Sequence, residues 1–316
     1  MTEQVLHPPG ESAKRHWLWK VAPYLVAILA IGAILYRYPP ATILAEMRHG
    51  NALATVPFAL AAVYGSLLIN ATADTWVIRR VAGEAPYWDV FRGKAGATVL
   101  MLVGYAAGQG GYGVWVAKAT GSNAKTAASV ILYIMASELL TVCLLCTGAI
   151  WFGAADVPGA LRVIAPVTAG VLLLFKLTGP LRLLGDRTPV LFQPWSKMGF
   201  AGGFGQLAVR IVQISLLCVL TWAACAPSGC PSPSAMMGHL PVVLVVGSLP
   251  VNVAGFGAVQ GAWLLLLPWA GSGPQVLAFA VLWQLAVGVS MLMRGLPFVP
   301  RVLREISKKS EAAPAA

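Results

Sequence analysis

The sequence predicts an all-α polytopic membrane protein: six spanning helices plus two broken re-entrant segments in inverted-topology repeats. Three observations carry that prediction. Of 316 residues, 58% are hydrophobic and only 10% charged, and mean hydropathy is +0.75; a soluble domain carries about 25% charge. Apolar runs recur along the chain, among them Val21 to Leu35, Ile131 to Ile150, Val163 to Leu177, Ile214 to Cys225 and Leu240 to Ala258. At roughly 20 residues per crossing they leave room for six to eight spans. Finally, the basic residues lie singly or in pairs between the apolar runs, the spacing of a membrane protein oriented by its cytoplasmic charges.

In chain order, Lys14, Arg15 and Lys20 lead into a first span with no small-residue cleavage site directly after it, as expected of a retained helix rather than a cleaved signal. Plain spans are expected at about 17–36, 51–77, 124–152, 159–177, 200–225 and 275–294. Two further segments, about 95–118 and 240–270, are interrupted by Ala107-Gly-Gln-Gly-Gly-Tyr-Gly113 and by Pro250-Val-Asn-Val-Ala-Gly-Phe-Gly257. Backbone breaks are expected at Gly108 and Gly110 in the first, and at Pro250, Gly255 and Gly257 in the second.

Counting charges decides what the interrupted segments do. If all eight segments cross, 13 basic residues fall on the side of the N-terminus and 8 on the other. If the two interrupted segments dip in and return, the split is 18 against 3, the three being Arg37, Arg48 and Arg162. The positive-inside rule favours the second arrangement, with both termini cytoplasmic. The first half, about 17–152, then starts inside and the second, about 159–294, starts outside. Such inverted repeats recur in secondary transporters, with broken helices lining a site at the midplane. Residues 1–16 and 306–316 read as cytoplasmic tails, the chain as one membrane domain. Interrupted backbone at membrane depth survives only where protein buries it or a wet cavity faces it.

Several residues are candidates for the lining of that cavity. Glu138 and Arg210 fall near the middles of their spans, where an unpaired charge costs about 2.5–3.5 kcal/mol on the insertion scale; they either serve the cargo or fix helix packing as an ion pair. Gln109, Asn252 and Gln260 are amides within the breaks, suited to head-group recognition or to bracing the broken backbone; Tyr112 lies beside them. Asp74, ahead of Trp76, Arg79 and Arg80, reads as an interfacial cap. Cys143 and Cys146 read as apolar filler, whereas Cys225 and Cys230 flank a short loop that a disulfide would close. Ala41 to Arg48 reads as a short interfacial helix. The string Gly108-x-Gly110-x-x-Gly113 has the spacing of a dinucleotide fingerprint but neither the strand nor the sheet that fingerprint needs. The net charge of +11 does not imply nucleic acid, because no basic-aromatic stripe accompanies it.

Three stretches resemble the transmembrane, flippase-type domain of lysylphosphatidylglycerol synthases and its stand-alone bacterial relatives, which include hopanoid-associated membrane proteins. They are Asn70 to Arg80; Gly108-Gln109 through Lys118, Thr120-Gly121 and Ala128-Ser129-Val130; and Leu249-Pro250 through Gly255-Phe-Gly-Ala-Val-Gln-Gly-Ala262. The resemblance spans about Leu67 to Arg294. It implies a transporter or flippase of polar lipid (phospholipid, aminoacyl lipid or hopanoid type) in a bacterial inner membrane. Membrane lipids would be its substrate, with no cofactor and no metal. The family's intramembrane charges are largely replaced here: its two glutamates fall on Gln109 and Gln260, an arginine on Tyr112, and a Glu-Arg pair on Tyr133 and Ile134. That departure puts proton coupling through those carboxylates in question. It keeps open an alternative, a non-transporting partner of lipid-synthesis enzymes. A membrane-embedded lipid transferase is the weaker alternative and no enzyme is expected, since His7, His16, His49 and His239 are scattered and such chemistry wants clustered acid–base groups.

Overall fold

The computed structural model describes residues 28–29, 31–49, 52–152, 159–178, 189–229, 232–248, 252–253, 256–267 and 272–307. Most of the first expected span, the expected N-terminal tail and residues 308–316 of the expected C-terminal tail lie outside them, whereas residues 306–307 end the last helix; residues 28–29 and 31–37 are helical. The helices that follow are α1 (Pro40–His49), α2 (Ala52–Val81), α3 (Tyr87–Val103), α4 (Tyr105–Ala119), α5 (Ala124–Trp151), α6 (Gly159–Thr178), α7 (Gln193–Cys225), α8 (Pro233–Ser248), α9 (Ala258–Leu266), α10 (Gly273–Gly295) and α11 (Val299–Ser307). Strands β1 (Asn252–Val253) and β2 (Phe256–Gly257) join α8 to α9. The protein is an all-α polytopic membrane protein. Among the described residues five helical stretches, 55–81, 124–151, 159–177, 190–228 and 273–298, are long and apolar enough to cross a bilayer.

The helix starts follow from local chemistry. Pro86 sits at the N-cap of α3. The Asn123 side chain accepts the Thr126 N–H at 2.8 Å to cap α5, and the Ser272 N–H is taken by Gln275 Oε1 at 3.0 Å ahead of α10. Such contacts satisfy donors that the first helical turn leaves unpaired.

Both interrupted segments are hairpins. At 1.5 Å per residue the 17 residues of α3 and the 15 of α4 reach about 25 and 22 Å, short of a hydrocarbon core of about 30 Å. The chain leaves helical geometry at Gly104, in extended backbone with φ 175°, and α4 folds back along α3. Gly93 meets Trp115, Gly108 meets Met101 and Ala97, and Gly111 meets Leu100. The feet meet again at Gly83 and Thr120, where a Cβ on Gly83 would lie 3.3 Å from the Thr120 carbonyl oxygen. The second hairpin turns through a two-residue antiparallel ladder, Asn252 opposite Gly257 and Val253 opposite Phe256, and Gly247 meets Val259 across it.

The position of the first break differs from the sequence expectation. Gly108 and Gly110 lie inside α4 with helical backbone, and the interruption is at Gly104. A Cβ on Gly108 would stand 2.9 Å from the Met101 nitrogen and 3.0 Å from the Ala97 carbonyl oxygen. Glycine is needed there for close approach of two helices, not for a turn. Gly257 does occupy a break: its φ of 124° lies where only glycine is comfortable. Pro250 and Gly255 lie outside the described residues.

The hairpins enter from opposite ends of the bundle. The feet of α3–α4, the end of α2, the start of α7 and α11 gather at one end: Arg80 donates to the Met198 carbonyl at 3.2 Å and Lys197 to the Val81 carbonyl at 3.3 Å, and Val302 packs on Gly96. At the other end Ile43 of α1 packs on Leu277 and Ala278 of α10, and Leu161 of α6 packs on Ala149 of α5. The core is divided accordingly. Val77, Val90, Tyr112, Val130 and Met198 belong to one cluster, around the first hairpin. Ala62, Val142, Cys218, Leu240, Trp263 and Ala280 belong to the other, around the second.

The halves are related antiparallel. Along α2 and α7, Gly65 faces Leu216, Asn70 faces Arg210, Trp76 faces Gly205 and Arg80 faces Gly202, so one chain runs up as the other runs down. Contacts between the halves come in matched pairs as well: α5 packs on α8 as α10 packs on α3, and α5 on α7 as α10 on α2.

Cys225 is disulfide-bonded, and Cys230 lies outside the described residues. Cys143, Cys146 and Cys218 are free and buried.

Candidate functional site

Between the two core clusters, at mid-depth, α2, α5 and α7 carry polar side chains at helical spacing. Ser66, Asn70 and Asp74 are successive turns of α2; Gln206, Arg210 and Gln213 do the same on α7. Residues four apart share a helix face, so both stripes point inward, and they meet. Arg210, fully buried, is the hub. Its Nη1 donates to Asn70 Oδ1, to Glu138 Oε1 at 2.6 Å and to Gln213 Oε1 at 3.1 Å, and its Nη2 to Asp74 Oδ1. Gln213 passes the chain on to Ser66 Oγ at 3.0 Å.

Lys94 of α3 closes the network. Its Nζ lies 2.5 Å from Asp74 Oδ2 and 2.7 Å from Asn70 Oδ1, and 5.3 Å from the centre of the Tyr112 ring. Two carboxylates and two cations thus neutralise one another in a region where a lone charge is expensive. Asp74 is shared, one oxygen to Arg210 and the other to Lys94. Every carboxylate comes from the first half and the guanidinium from the second, so the network is also the joint between halves. Two further cations inside the bundle, buried Arg294 and half-buried Lys176, have no carboxylate partner among the described residues. Arg294 Nη1 donates to the Val63 carbonyl and Nη2 to Thr98 Oγ1 at 3.4 Å. Lys176 donates to Ser137 Oγ at 3.1 Å and Gln206 Oε1 at 3.2 Å and lies 4.8 Å over the Tyr133 ring.

A cavity of about 310 Å³ opens beside this network, between α2, α3, α10 and the second hairpin. Its polar lining is Ser66, Asn70, Lys94, Thr98 and Tyr105 from α2, α3 and the start of α4, interleaved with Val63, Leu67, Met101 and Leu102, together with Gln284 and Arg294 of α10. The wall given by the second hairpin is apolar, with Leu240, Val243, Leu244, Val259 and Trp263. The size is at the small end of ligand sites.

Glu138 and Arg210, expected near the midplane, are there and are paired, but Arg210 is sealed away by its partners rather than lining the cavity. Asp74 is not an interfacial cap: it is fully buried at the centre, because α2 continues to Val81 and carries Arg79 and Arg80 to the bundle end instead. Lys94, Lys176 and Arg294, counted above among loop charges, are inside helices and largely buried. Tyr112 is buried under Lys94 and stacked on Trp115 at 5.8 Å, so it supports the network and does not line the cavity. Gln109 and Gly110 line a different recess of about 450 Å³, between α4 and α5. Gln260 braces backbone: its Oε1 accepts the Gly257 N–H at 2.7 Å. Asn252 pairs through the ladder backbone.

Contributors that went unrecognised in the sequence include Lys94, Asn70, Thr98 and Arg294. The signal was present for three of them as polar residues one turn apart, 66-70-74 on α2 and 94-98 on α3, inside otherwise apolar helices. Arg294 had no such companion. No protein-family model matches the chain, and no curated protein matches it.

Proposed function

We propose that the protein is a transporter of the flippase kind, moving a polar lipid between the leaflets of a bacterial inner membrane. The observation that carries this reading is the two-sided cavity at mid-depth between hairpins that enter from opposite ends. A lipid presents the same two sides: a head group that needs hydrogen-bond partners and tails that need an apolar wall. Irregular backbone beside such a cavity is the arrangement of transporters that alternate access between two half-repeats. In this reading the halves rock about the α2–α7 contact, the cavity opens alternately to each leaflet, and the tails stay in hydrocarbon. Arg210 is what the motion must rearrange, since it holds Asn70, Asp74 and Glu138 across the joint. The bundle end carrying Arg79, Arg80, Arg92, Lys125, Lys197 and Arg304 would be cytoplasmic by the positive-inside rule. The resemblance of the 70–80, 108–130 and 249–262 stretches to flippase-type domains supports the same reading.

The test is leaflet exchange of labelled phospholipids in vesicles containing the purified protein, with and without a proton gradient. Exchange above protein-free vesicles is expected for the native chain. It should fall to background in Leu244→Trp, which fills the apolar side without touching the network. A folded native protein that exchanges no lipid would overturn the proposal and favour the partner-protein alternative.

A further inference from the structure

The cavity's charge is one-sided, and this identifies the class of head group. Its lining includes two cations, Lys94 and Arg294, and no aspartate or glutamate. Both cations are more than nine-tenths buried. Lys94 is partly balanced by Asp74 behind it, at 2.5 Å, but Arg294 has no carboxylate within ion-pair distance among the described residues. Its Nε is buried without a hydrogen-bond partner. A guanidinium donates through five N–H groups in a fixed fork, and the two protein bonds of Arg294, to Val63 and Thr98, leave donors over. A buried cation in this condition is costly unless an anion completes it.

Thr98 ties the two cations together. It lies one helical turn beyond Lys94 on α3, about 5–6 Å along the same face, and its Oγ1 is 3.4 Å from Arg294 Nη2. Both cations line the one cavity, so their charges act on the same occupant. The remaining polar groups suit an oxyanion as well. Asn70 gives its Oδ1 to Lys94 and Arg210, which leaves its amide N–H groups as donors, and Asn70 and Tyr105 both belong to the cavity lining.

We infer that Lys94 and Arg294 form a binding site for an anionic lipid head group, a phosphate-bearing one, and that the cavity discriminates by charge against cationic head groups. This deepens the transport reading and rests on taking this cavity as the cargo site. The anion also competes with Asp74 for Lys94, so occupancy loosens the bond by which Asp74 ties α3 to the α2–α7 joint. Cargo binding and the freedom of the joint are thereby linked through a single ammonium group.

The experiment has two readouts on the same purified protein. Thermal stabilisation in neutral detergent is measured with phosphatidylglycerol, phosphatidylcholine, a trimethylammonium diacyl lipid and free glycerol phosphate; leaflet exchange is measured with labelled forms of the three lipids. Apparent affinity for phosphatidylglycerol is expected to exceed that for the cationic lipid by about tenfold or more, the scale of one charge-assisted hydrogen bond. Free glycerol phosphate should stabilise only weakly, because it leaves the apolar wall unfilled. Arg294→Gln should erase the preference for the anionic lipid and Arg294→Lys should keep most of it. Arg294 holds no ion pair, so these variants test the site without dismantling the network; Lys94→Arg provides a second charge-conserving control. Equal stabilisation by all three lipids, or an unchanged preference in folded Arg294→Gln, would overturn the head-group site. If exchange occurs without charge preference, the site fails and the transport reading stands. If the anionic lipid binds selectively and nothing is exchanged, the site stands and the transport reading fails. Free glycerol phosphate matching the lipid would overturn the lipid assignment in favour of a soluble oxyanion.

Discussion

Asp74 shows how much one side chain is asked to do. It accepts from Arg210 on one oxygen and from Lys94 on the other, so its removal exposes two cations at once. Asp74→Asn is expected to destabilise the protein by about 3–5 kcal/mol, the range for breaking a buried pair. Lys94→Met should be comparably harmful, because it leaves half of the carboxylate unmet. The double variant should lose less than the sum of the two, by about 0.5–3 kcal/mol, since the residues share one interaction. Chemical unfolding in detergent of the four proteins gives the cycle, and strict additivity would show that the 2.5 Å contact carries no coupling. Legibility at this scale was uneven, for a physical reason. Glu138 and Arg210 stand out in the sequence because a charge in the middle of an apolar run has no cheap alternative. Asp74 and Lys94 lie nearer the ends of theirs, where a charge could equally face water. Only the depth to which α2 and α3 are inserted decides that, and depth is a tertiary property.

Among the elements, the first hairpin shows what glycines do when they do not bend the chain. The cluster from Gly108 to Gly113 reads in sequence as a broken backbone, yet it forms the helix α4, and the turn falls on the lone Gly104. Glycine content reports a demand for space as readily as a demand for unusual torsions, and sequence does not separate the two. Gly108→Val should therefore destabilise strongly, by about 2 kcal/mol or more, as overpacking does, because its Cβ meets fixed backbone of α3 at 2.9 and 3.0 Å. Gly110→Ala should be harmless or stabilise by about 0.5–1 kcal/mol, because nothing lies within 4 Å of its Cβ and alanine is the better helix former. Thermal midpoints in detergent separate the two outcomes; equal damage from both substitutions would mean that the α3–α4 packing described above is wrong. In the second hairpin Gly257 sits at the break itself, with φ 124°, because there the demand is torsional.

For the whole molecule, the charge count and the packing agree on which ends belong together. The feet of α3 and α4 meet at Gly83 and Thr120, which is the dip-and-return arrangement that the basic residues favour. Single cysteines at Lys125 and Lys197, both exposed, should react with an impermeant maleimide from one side of sealed vesicles. Cysteines at Arg37 and Arg162, also exposed, should react from the other. Labelling of Arg37 from the same side as Lys125 and Lys197 is what eight crossings require, and it would exclude the hairpin topology. What no count of charges could reveal is how the two halves share them. Their resemblance is one of shape: antiparallel α2 and α7, matched contacts, a hairpin in each. It is not one of charge, since the carboxylates of the central network all belong to one half and its arginine to the other. Perfect inverted repeats would exchange roles at no change in energy, and the outward and inward forms would be equally populated. Here the exchange moves a guanidinium to where the carboxylates were. In the proposed transport cycle the two forms are therefore unequal: one mouth is open by default, and only a cargo that binds the rarer form better can turn the molecule.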